Sequence, residues 1–336
     1  MNAAPSRVAV AFIGLGPIGR STIAHALMHP SIEIAGACDT DRKLVGKPLS
    51  ELVSEAPRGI RVVSSVEQLL QQTQARVILL CTQSRIQTIS PVLETLIQGG
   101  RSVVSSCEEL IFPFLRQPEW STRIDALCKQ HRVAVLATGV NPGFVLDLLP
   151  AVLSGVCLNV RRVRMTRVVD TRTRRGQLQI KVGAGLDVDE FHARARAGDL
   201  GHVGLPESAE LLCHALGWGA PRIVQSLEPV VAHTKVETPF VNVEKGAVAG
   251  QDQRLTATTD CGIVEIELKM FLGAPDPRDE IWLDAEPPIH CLLEGGVAGD
   301  LATVATLLNA ASGIAALSPG LRTVVDCPPL THRRIG

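Results

Sequence analysis

The sequence predicts an α/β protein of two domains, in which a parallel sheet precedes a mixed α+β domain. The chain has 336 residues, more than a single hydrophobic core usually holds. Residues 1–140 alternate short apolar runs with helical patterns of about 10–15 residues, which is typical of βαβ units around a parallel sheet. Beyond this stretch the strands become longer and alternate polar with apolar residues, which indicates a sheet with two unlike faces.

The elements of the first domain follow from apolar runs and from helix start and stop signals. Val8–Ile13 is uniformly apolar, as expected for a strand buried on both faces. Pro17 suits the first turn of the helix that follows, and Pro30 stops that helix. Further strands are predicted at Ile32–Cys38, Val77–Cys81, Ser102–Ser105 and Val133–Ala137, and further helices at Val66–Gln72, Ile86–Ile97 and Trp120–His131.

A turn-rich segment, TGVNPG at residues 138–143, separates the two domains. We expect residues 141–298 to form the α+β domain, and a last helix within residues 299–318 to pack back on the first domain. Alternation in Val264–Met270 indicates one covered sheet face and one that is exposed or used for dimerisation. In this domain, strands are also predicted at Arg161–Val169 and Gln177–Val182, and helices at Val188–Ala197 and Pro206–Leu216.

Charge, composition and cysteine usage exclude several classes of protein. The chain is 46% hydrophobic and 20% charged, so it can bury ordinary cores and is not intrinsically disordered. Its net charge of −1 and its lack of Tyr leave neither a basic surface nor stacking platforms for nucleic acid. No apolar run reaches the roughly 20 residues of a membrane span. Nine cysteines are scattered without a CxxC pair, which favours free thiols and a cytoplasmic location.

A glycine-rich motif directly follows the first predicted strand. Residues 14–19 read GLGPIG, where the first glycine makes a tight turn, the second admits a pyrophosphate and the third lets helix and strand pack closely. The phosphates would meet the free N–H groups and the positive end of the helix. A glycine-rich turn of an unrelated α/β fold is the alternative. We predict a Rossmann dinucleotide site that includes Gly14, Gly16, Pro17, Ile18 and Gly19.

Residues at the ends of two further strands extend this predicted cofactor site. Asp39 ends the second strand, where a carboxylate can hold the adenosine ribose hydroxyls, and this favours NAD. Arg42 and Lys43 lie just beyond it and either pair with the 2′-phosphate of NADP or are solvated loop charges, so both cofactors stay open. Cys81 and Thr82 lie at the end of the predicted strand Val77–Cys81 and should border the cofactor, because ligands bind outside the carboxyl ends of such strands.

Several segments resemble one enzyme family. Val103–Leu110 (VVSSCEEL) resembles the motif after the fifth strand in 2,4-diaminopentanoate dehydrogenases and related native amine dehydrogenases, within the wider dihydrodipicolinate-reductase-like group. The pieces TGVNPGF and GHVGLPES are the most specific, and the His-His-x-x-Lys segment of true dihydrodipicolinate reductases is not found. The resemblance covers nearly the whole chain, through the further segments Thr138–Leu149, Arg167–Leu186, Gly201–Ser208 and Gly299–Pro328.

The resemblance implies a homodimeric enzyme that oxidises an amine to an imine with NAD(P)⁺. Water then releases a ketone and ammonia, and the reverse reaction is reductive amination. The α+β domain would bind the substrate and mediate dimerisation. The alternatives are an imine or carbonyl reductase of the same architecture and a non-catalytic nucleotide-sensing protein, since a fold does not fix a function.

Glu108 is the predicted catalytic residue. It lies three residues past the strand that ends at Ser105, where the nicotinamide should be, and the matching family position carries an acid role. A carboxylate there can pair with the substrate ammonium, accept its proton and orient the water that attacks the imine. Capping of the following turn is the alternative for Glu108. Glu109 is expected to be structural, and a nucleophilic role for Cys107 is disfavoured because no supporting His is apparent.

The turn-rich segment supplies further predicted substrate-binding residues. Asn141, Pro142 and Gly143 are expected to shape the floor of the nicotinamide pocket, with the Asn141 amide offered to cofactor or substrate. Asn before Pro also suits the cap of a helix over residues 144–152, so that structural role is the alternative for Asn141.

Two candidate substrate ligands lie in the second domain. Arg167 belongs to an arginine-rich strand, where one guanidinium can hold a substrate carboxylate bidentately. His202, in GHVGLPES, either borders the pocket or is a satisfied structural histidine. His25 and His29 have i,i+4 spacing but lack a third ligand, so we predict no metal.

Overall fold

The computed structural model describes residues 7–328 and 331–332, and the chain folds as two compact units. The first unit contains the residues up to Phe144 together with those from Ala298 onwards, and the second contains Val145–Val297. The predicted α/β class is confirmed, because the first unit is built on a parallel sheet and the second on a mixed sheet.

A seven-stranded parallel sheet forms the centre of the first unit. Its strands are β1 (Val8–Ile13), β2 (Ile32–Cys38), β3 (Val62–Val63), β4 (Val77–Leu80), β5 (Ser102–Ser105), β6 (Ala134–Ala137) and, near the end of the chain, β15 (Gly320–Arg322). The order across the sheet is β15-β6-β5-β4-β1-β2-β3. The order therefore reverses between β1 and β4, which is the switch point where open α/β sheets bind their ligands.

The helices of the first unit are α1 (Pro17–Ala26), α2 (Leu49–Leu52), α3 (Val66–Gln72), α4 (Ile86–Gln98), α5 (Pro118–His131) and α10 (Gly299–Gly313). The short α2 was not predicted from the sequence, and the others match the predicted helices to within a few residues. Ser65 caps α3 through its hydroxyl, which accepts the Gln68 N–H at 3.3 Å, whereas the Gln68 amide bonds to Ser64. Near the end of the chain, α10 packs against α1.

The second unit is built on a six-stranded mixed sheet with four helices. The order is β14-β13-β7-β12-β11-β8, in which β7 and β12 are parallel and the other neighbours antiparallel. Its elements are α6 (Leu148–Ser154), β7 (Leu158–Asp170), α7 (Gly176–Lys181), α8 (Val188–Ala197), α9 (Leu205–Ala215), β8 (Arg222–Val231), β9 (Val236–Glu237), β10 (Asn242–Val243), β11 (Val248–Thr258), β12 (Ile263–Phe271), β13 (Arg278–Glu286) and β14 (Ile289–Glu294).

The two faces of this sheet differ as the alternation predicts. Val264, Ile266 and Leu268 on β12 are buried on the face against which α9 packs. The opposite face carries alternating residues such as Glu265 on β12 and Trp282 on β13, and Trp282 is 42% exposed. Within the second unit, this open face is left without a covering layer of helices.

Two predicted elements are wrong. Gln177–Val182 is not a strand but lies mostly in α7, since the buried Gln179 amide donates to the carbonyls of Thr171 and Arg174 at 3.1 and 3.0 Å and folds the segment onto the preceding turn. The helix predicted over residues 144–152 starts only at Leu148, where the Asp147 carboxylate accepts the Leu148 N–H at 2.6 Å. Asn141 is therefore not its cap.

Candidate active site

The glycine loop (residues 14–19) lies at the carboxyl end of β1, beside the switch point. Gly14 has a φ of +90°, and a Cβ added to it would collide with the Cys81 carbonyl group and lie 2.8 Å from Cγ2 of Thr82. A Cβ on Gly19 would overlap the Gly14 carbonyl oxygen. These two glycines are required by the packing of the loop itself, and both Cys81 and Thr82 border that loop.

Gly16 differs from its two neighbours. Its φ of −68° is open to any residue, and a Cβ added there has no atom within 4 Å. Neither backbone strain nor packing inside the protein requires glycine at this position. The space beside Gly16 faces the start of α1, which has no side-chain cap and no acidic residue in its first turn. Free N–H groups at a helix start with open space before them fit a dinucleotide pyrophosphate.

Asp39 fixes the other side of the glycine loop. One carboxylate oxygen accepts the N–H of Leu15 at 2.6 Å and the other accepts the N–H of Asp41 at 2.8 Å. The carboxylate therefore stays at the end of β2, where the ribose of a bound dinucleotide would lie. Arg42 and Lys43 are exposed in the turn that follows, and the Lys43 N–H donates to the Asp41 carboxylate.

We expect the protein to bind NAD⁺ about 10-fold more tightly than NADP⁺ or better, because the fixed Asp39 charge repels a 2′-phosphate. Asp39→Asn should reduce this preference, whereas Asp41→Asn, two residues away and exposed, should leave it unchanged. Fluorescence titration with NADH and NADPH measures the same preference on the reduced cofactors, which have the same adenosine half. A preference for NADPH in the unaltered protein would assign the selectivity to Arg42 and Lys43 instead.

Glu108 and Glu109 are adjacent but differ in their surroundings. Both lie in a 3₁₀ helix (Glu108–Ile111) that begins directly beyond β5, and Glu108 is half-buried. The Glu109 carboxylate accepts the N–H of Ile86 at 2.8 Å and lies 3.4 Å from Arg85, so it caps the start of α4. Glu109 therefore has the structural role expected of it, and Glu108 precedes it, three residues beyond the carboxyl end of β5.

The thiols near the site are not available as nucleophiles. Burial raises the pKa of Cys107 to about 12, and the charges of Glu108 and Glu109 act in the same direction. Burial likewise raises the pKa of Cys81 to about 12. Since the thiolate is the reactive form, neither thiol is an effective nucleophile near neutral pH.

The junction loop (residues 138–143) follows β6 and is held in place at three points. The Thr138 N–H donates to the Ser105 carbonyl at 2.9 Å, and the Val140 N–H donates to the Thr303 hydroxyl at 3.2 Å. Gly143, at φ +119°, comes so close to Gly139 that a Cβ on it would collide with the Gly139 backbone. Pro142, the residue before Gly143, is buried and follows a cis peptide bond. These contacts therefore fix the conformation of the loop at the carboxyl end of β6, next to β5, the strand that precedes Glu108.

Arg167, in the second unit, is already engaged with protein groups. It is 4% exposed, donates to both carboxylate oxygens of Asp279 at 2.7 and 2.6 Å, and donates to the Val297 carbonyl at 2.8 Å. Burial lowers the pKa of Arg167, whereas Asp279 opposes this effect. Its assignment as a substrate ligand stays a prediction, and these bonds leave its guanidinium little capacity for a second carboxylate.

His202 is bonded locally within the second unit. Its Nδ1 lies 2.6 Å from the Val203 carbonyl, and its backbone N–H donates to the Gln253 side-chain oxygen at 2.7 Å. Burial lowers the pKa of His202 to about 4, and the positive charge of Lys181 adds to the effect. This pattern is that of a satisfied structural histidine, neutral near pH 7, and its assignment to substrate binding stays a prediction.

The lowered pKa of His202 predicts a loss of stability in acid. The unfolded chain binds this proton near the ordinary pKa of 6.5 and the folded chain only near 4, so stability falls as the pH drops through this interval. When the pH falls from about 7.5 to about 5, protonation of His202 in the unfolded chain should lower the free energy of unfolding by about 2 kcal/mol. Urea unfolding of the unaltered protein and of His202→Asn at both pH values isolates this contribution. An equal pH dependence in the two proteins would contradict it.

The described part of the chain contains neither a cluster of metal-ligating side chains nor a helix that could span a membrane. Within residues 7–328 and 331–332, no three His, Cys, Asp or Glu side chains are grouped as metal ligands. Over the same residues, no helix is both long and apolar enough to cross a membrane.

Two residues that hold Arg167 and the junction loop in place could not be identified from the sequence. Asp279 neutralises Arg167 from 112 positions away, and Thr303 anchors the junction loop from 163 positions beyond Val140. No local pattern signals either partner. The position of Thr303 on the helix expected to pack back on the first domain is the one available signal.

Comparison with known proteins shows which family the chain is part of. A family model for the 2,4-diaminopentanoate dehydrogenase C-terminal domain matches residues 144–333. The 2,4-diaminopentanoate dehydrogenase of Acetoanaerobium sticklandii is 31% identical over 338 residues, which cover 96% of this chain and 94% of that enzyme. The chain belongs to the 2,4-diaminopentanoate dehydrogenase family. The resemblance noted in the sequence is thereby confirmed, and the chain is an NAD(P)-dependent oxidoreductase that acts on amines.

More distant proteins are similar to this chain in sequence or in fold. The amine dehydrogenase of Streptomyces virginiae is 21% identical over 343 residues, which cover 94% of each chain. The structure of amine dehydrogenase from Mycobacterium smegmatis matches with a TM-score of 0.87 and 21% identity over 98% of both chains. GenD2 from gentamicin A biosynthesis, solved in complex with NAD, matches with a TM-score of 0.52 and 15% identity over 87% of this chain and 74% of that one. These two structures show the fold.

Proposed function

We propose that the enzyme oxidatively deaminates a small amine or diamino acid, such as 2,4-diaminopentanoate, to a ketone and ammonia, and catalyses the reverse reductive amination. The observation that carries this proposal is the placement of Glu108. Its carboxylate belongs to a half-buried residue directly beyond β5, on the side of the switch point opposite Asp39. The adenosine half of a dinucleotide belongs beside Asp39, so the nicotinamide half belongs on the β5 side.

Glu108 can act on the substrate at three stages. It pairs with the substrate ammonium, accepts the proton that must leave nitrogen before hydride transfer, and then orients the water that attacks the imine carbon. NAD(P)⁺ supplies the hydride acceptor when bound. Cys107 takes no part as a nucleophile, because burial holds its pKa at about 12. The reaction proposed here needs neither a covalent enzyme intermediate nor a metal ion.

A cavity of the second unit suits a substrate that carries a carboxylate. The cavity is about 250 Å³ in volume, and its lining includes Arg167, Arg174 and Asp279. Arg174 lies close enough for its charge to lower the pKa of Arg167, whereas the Asp279 carboxylate is bonded to Arg167 itself. We therefore expect Arg174, rather than the saturated Arg167, to attract a carboxylate of a diamino acid.

Reductive amination in vitro tests the proposal. Oxidation of NADH or NADPH is followed with short ketones and with 2-amino-4-oxopentanoate, each with and without ammonia. Ammonia-dependent oxidation is the expected result, and comparison of ketones with and without a carboxylate tests the cavity. Oxidation that needs no ammonia, with a carbonyl compound or a cyclic imine, would replace the proposal by a reductase of the same architecture.

We also propose that the enzyme is a cytoplasmic homodimer. The open face of the six-stranded sheet exposes apolar side chains between charged ones, including Trp282, Leu158 and Val224. A self-complementary surface of this kind suits an isologous pair of sheets. The nine cysteines are free, which suits a reducing compartment. Light scattering during gel filtration measures the mass, and a monomer at micromolar concentration would contradict the dimer.

A further inference from the structure

The junction loop holds two buried polar side chains that have no hydrogen-bond partner. The Thr138 hydroxyl lacks a partner, and so do both the oxygen and the nitrogen of the Asn141 side-chain amide. Buried side-chain polar atoms are nearly always bonded, so each exception requires an explanation, and a role in ligand binding is one. An amide that lacks both a donor and an acceptor partner points to a ligand that offers both.

These unpartnered groups lie on the junction loop, which hydrogen bonds and close packing hold in position. Bonds from Thr138 to Ser105 on β5 and from Val140 to Thr303 on α10 fix the start of the loop. The close approach of Gly143 to Gly139 fixes its far end. Asn141 as a whole is half-buried, so part of the residue remains accessible from outside the loop. The loop is thus pre-organised to offer this one side chain.

The location of the loop in the sheet indicates which part of the cofactor meets it. Asp39 ends β2 on one side of the switch point, and this is the adenosine side. The junction loop ends β6 on the opposite side, beyond β4 and β5. A dinucleotide that spans the switch point with its pyrophosphate at Gly16 therefore directs its nicotinamide towards β5 and β6.

We propose that the Asn141 side-chain amide pairs with the carboxamide of the nicotinamide ring. Each of the two primary amides presents one N–H donor and one carbonyl acceptor along an edge, so they can exchange a pair of hydrogen bonds. This pairing fixes the rotation of the nicotinamide ring and so selects the face from which hydride is transferred. The proposal rests on dinucleotide binding by the first unit and is independent of which amine is the substrate.

Equilibrium binding of two ligands to Asn141→Ala tests the proposal without turnover. NAD⁺ carries the nicotinamide, and ADP-ribose is the same molecule without it. Asn141→Ala should weaken NAD⁺ binding about 10-fold and change ADP-ribose binding less than about 2-fold. Thr138→Val, which removes the other orphaned group of the same loop, is the matched control and should leave the ratio of the two affinities unchanged.

A second measurement isolates the carboxamide itself. Nicotinic acid adenine dinucleotide carries a carboxylate in its place, so the unaltered protein should bind it more weakly than NAD⁺, and Asn141→Ser should discriminate less between the two. Equal weakening of NAD⁺ and ADP-ribose in Asn141→Ala would show that Asn141 only supports the loop and would overturn the proposal. So would a change in the affinity ratio in Thr138→Val but not in Asn141→Ala. Failure of the amine chemistry would leave all these binding ratios unaffected.

Discussion

Replacement of Glu108 by Gln is expected to lower the turnover of oxidative deamination by about 10²-fold or more. Gln preserves the shape of the side chain and can still form hydrogen bonds, but it cannot accept the ammonium proton or carry the charge that pairs with the ammonium. The first turn beyond β5 should keep its structure, so NADH binding and thermal stability should change little. Steady-state kinetics with the amine and NAD⁺, together with NADH titration, measure these effects.

Glu109→Gln is the matched control, because it makes the same chemical change one residue away. Its carboxylate accepts the Ile86 N–H and pairs with Arg85, so this variant should lose about 1 kcal/mol of stability and keep its turnover within a few-fold. The opposite pattern, in which Glu109→Gln loses turnover and Glu108→Gln does not, would exchange the roles of the two acids. Near-normal turnover in both variants would assign the proton transfer to another group.

The first unit could be predicted closely from the sequence because its signals are local. The strand Val8–Ile13, the proline at the start of α1 and the glycine pattern each reflect a physical requirement met within a few residues. Ile32–Cys38 and Val66–Gln72 coincide with β2 and α3 for the same reason. The carboxyl ends of neighbouring parallel strands meet at one edge of the sheet, so this local knowledge also brings Asp39, the glycine loop and Glu108 to one side of it.

The errors arose where contacts that the pattern of the segment does not reveal decide the structure. Gln177–Val182 alternates polar and apolar residues like a strand, but the Gln179 amide bonds to three carbonyls of the preceding turn and stabilises a helix. Asn-Pro looks like a helix start, but Gly143 turns the chain and Asp147 caps α6 instead. The hydrogen bonds of Arg167 depend on Asp279, which lies more than a hundred positions away. No sequence pattern indicates that these two residues are partners.

Two glycines of one motif should respond in opposite ways to alanine. Gly19→Ala places a Cβ on the Gly14 carbonyl oxygen, so the loop or the helix must shift, and we expect a loss of about 1–3 kcal/mol of stability even without cofactor. Gly16→Ala meets no protein atom and needs no unusual backbone angle, so its stability should fall by less than about 1 kcal/mol. Yet its added methyl group occupies the approach to the start of α1, so NAD⁺ binding should weaken about 10-fold or more.

Urea unfolding without ligand and NADH titration separate the two effects. A Gly16→Ala protein that is stable but binds NADH poorly would show that the open space beside Gly16 is there for the cofactor rather than for the fold. A Gly16→Ala protein that binds NADH normally would place the pyrophosphate elsewhere along α1. That result would also remove the reference point from which the nicotinamide is directed towards Glu108 and Asn141, because both of those assignments depend on a dinucleotide that crosses the sheet at Gly16.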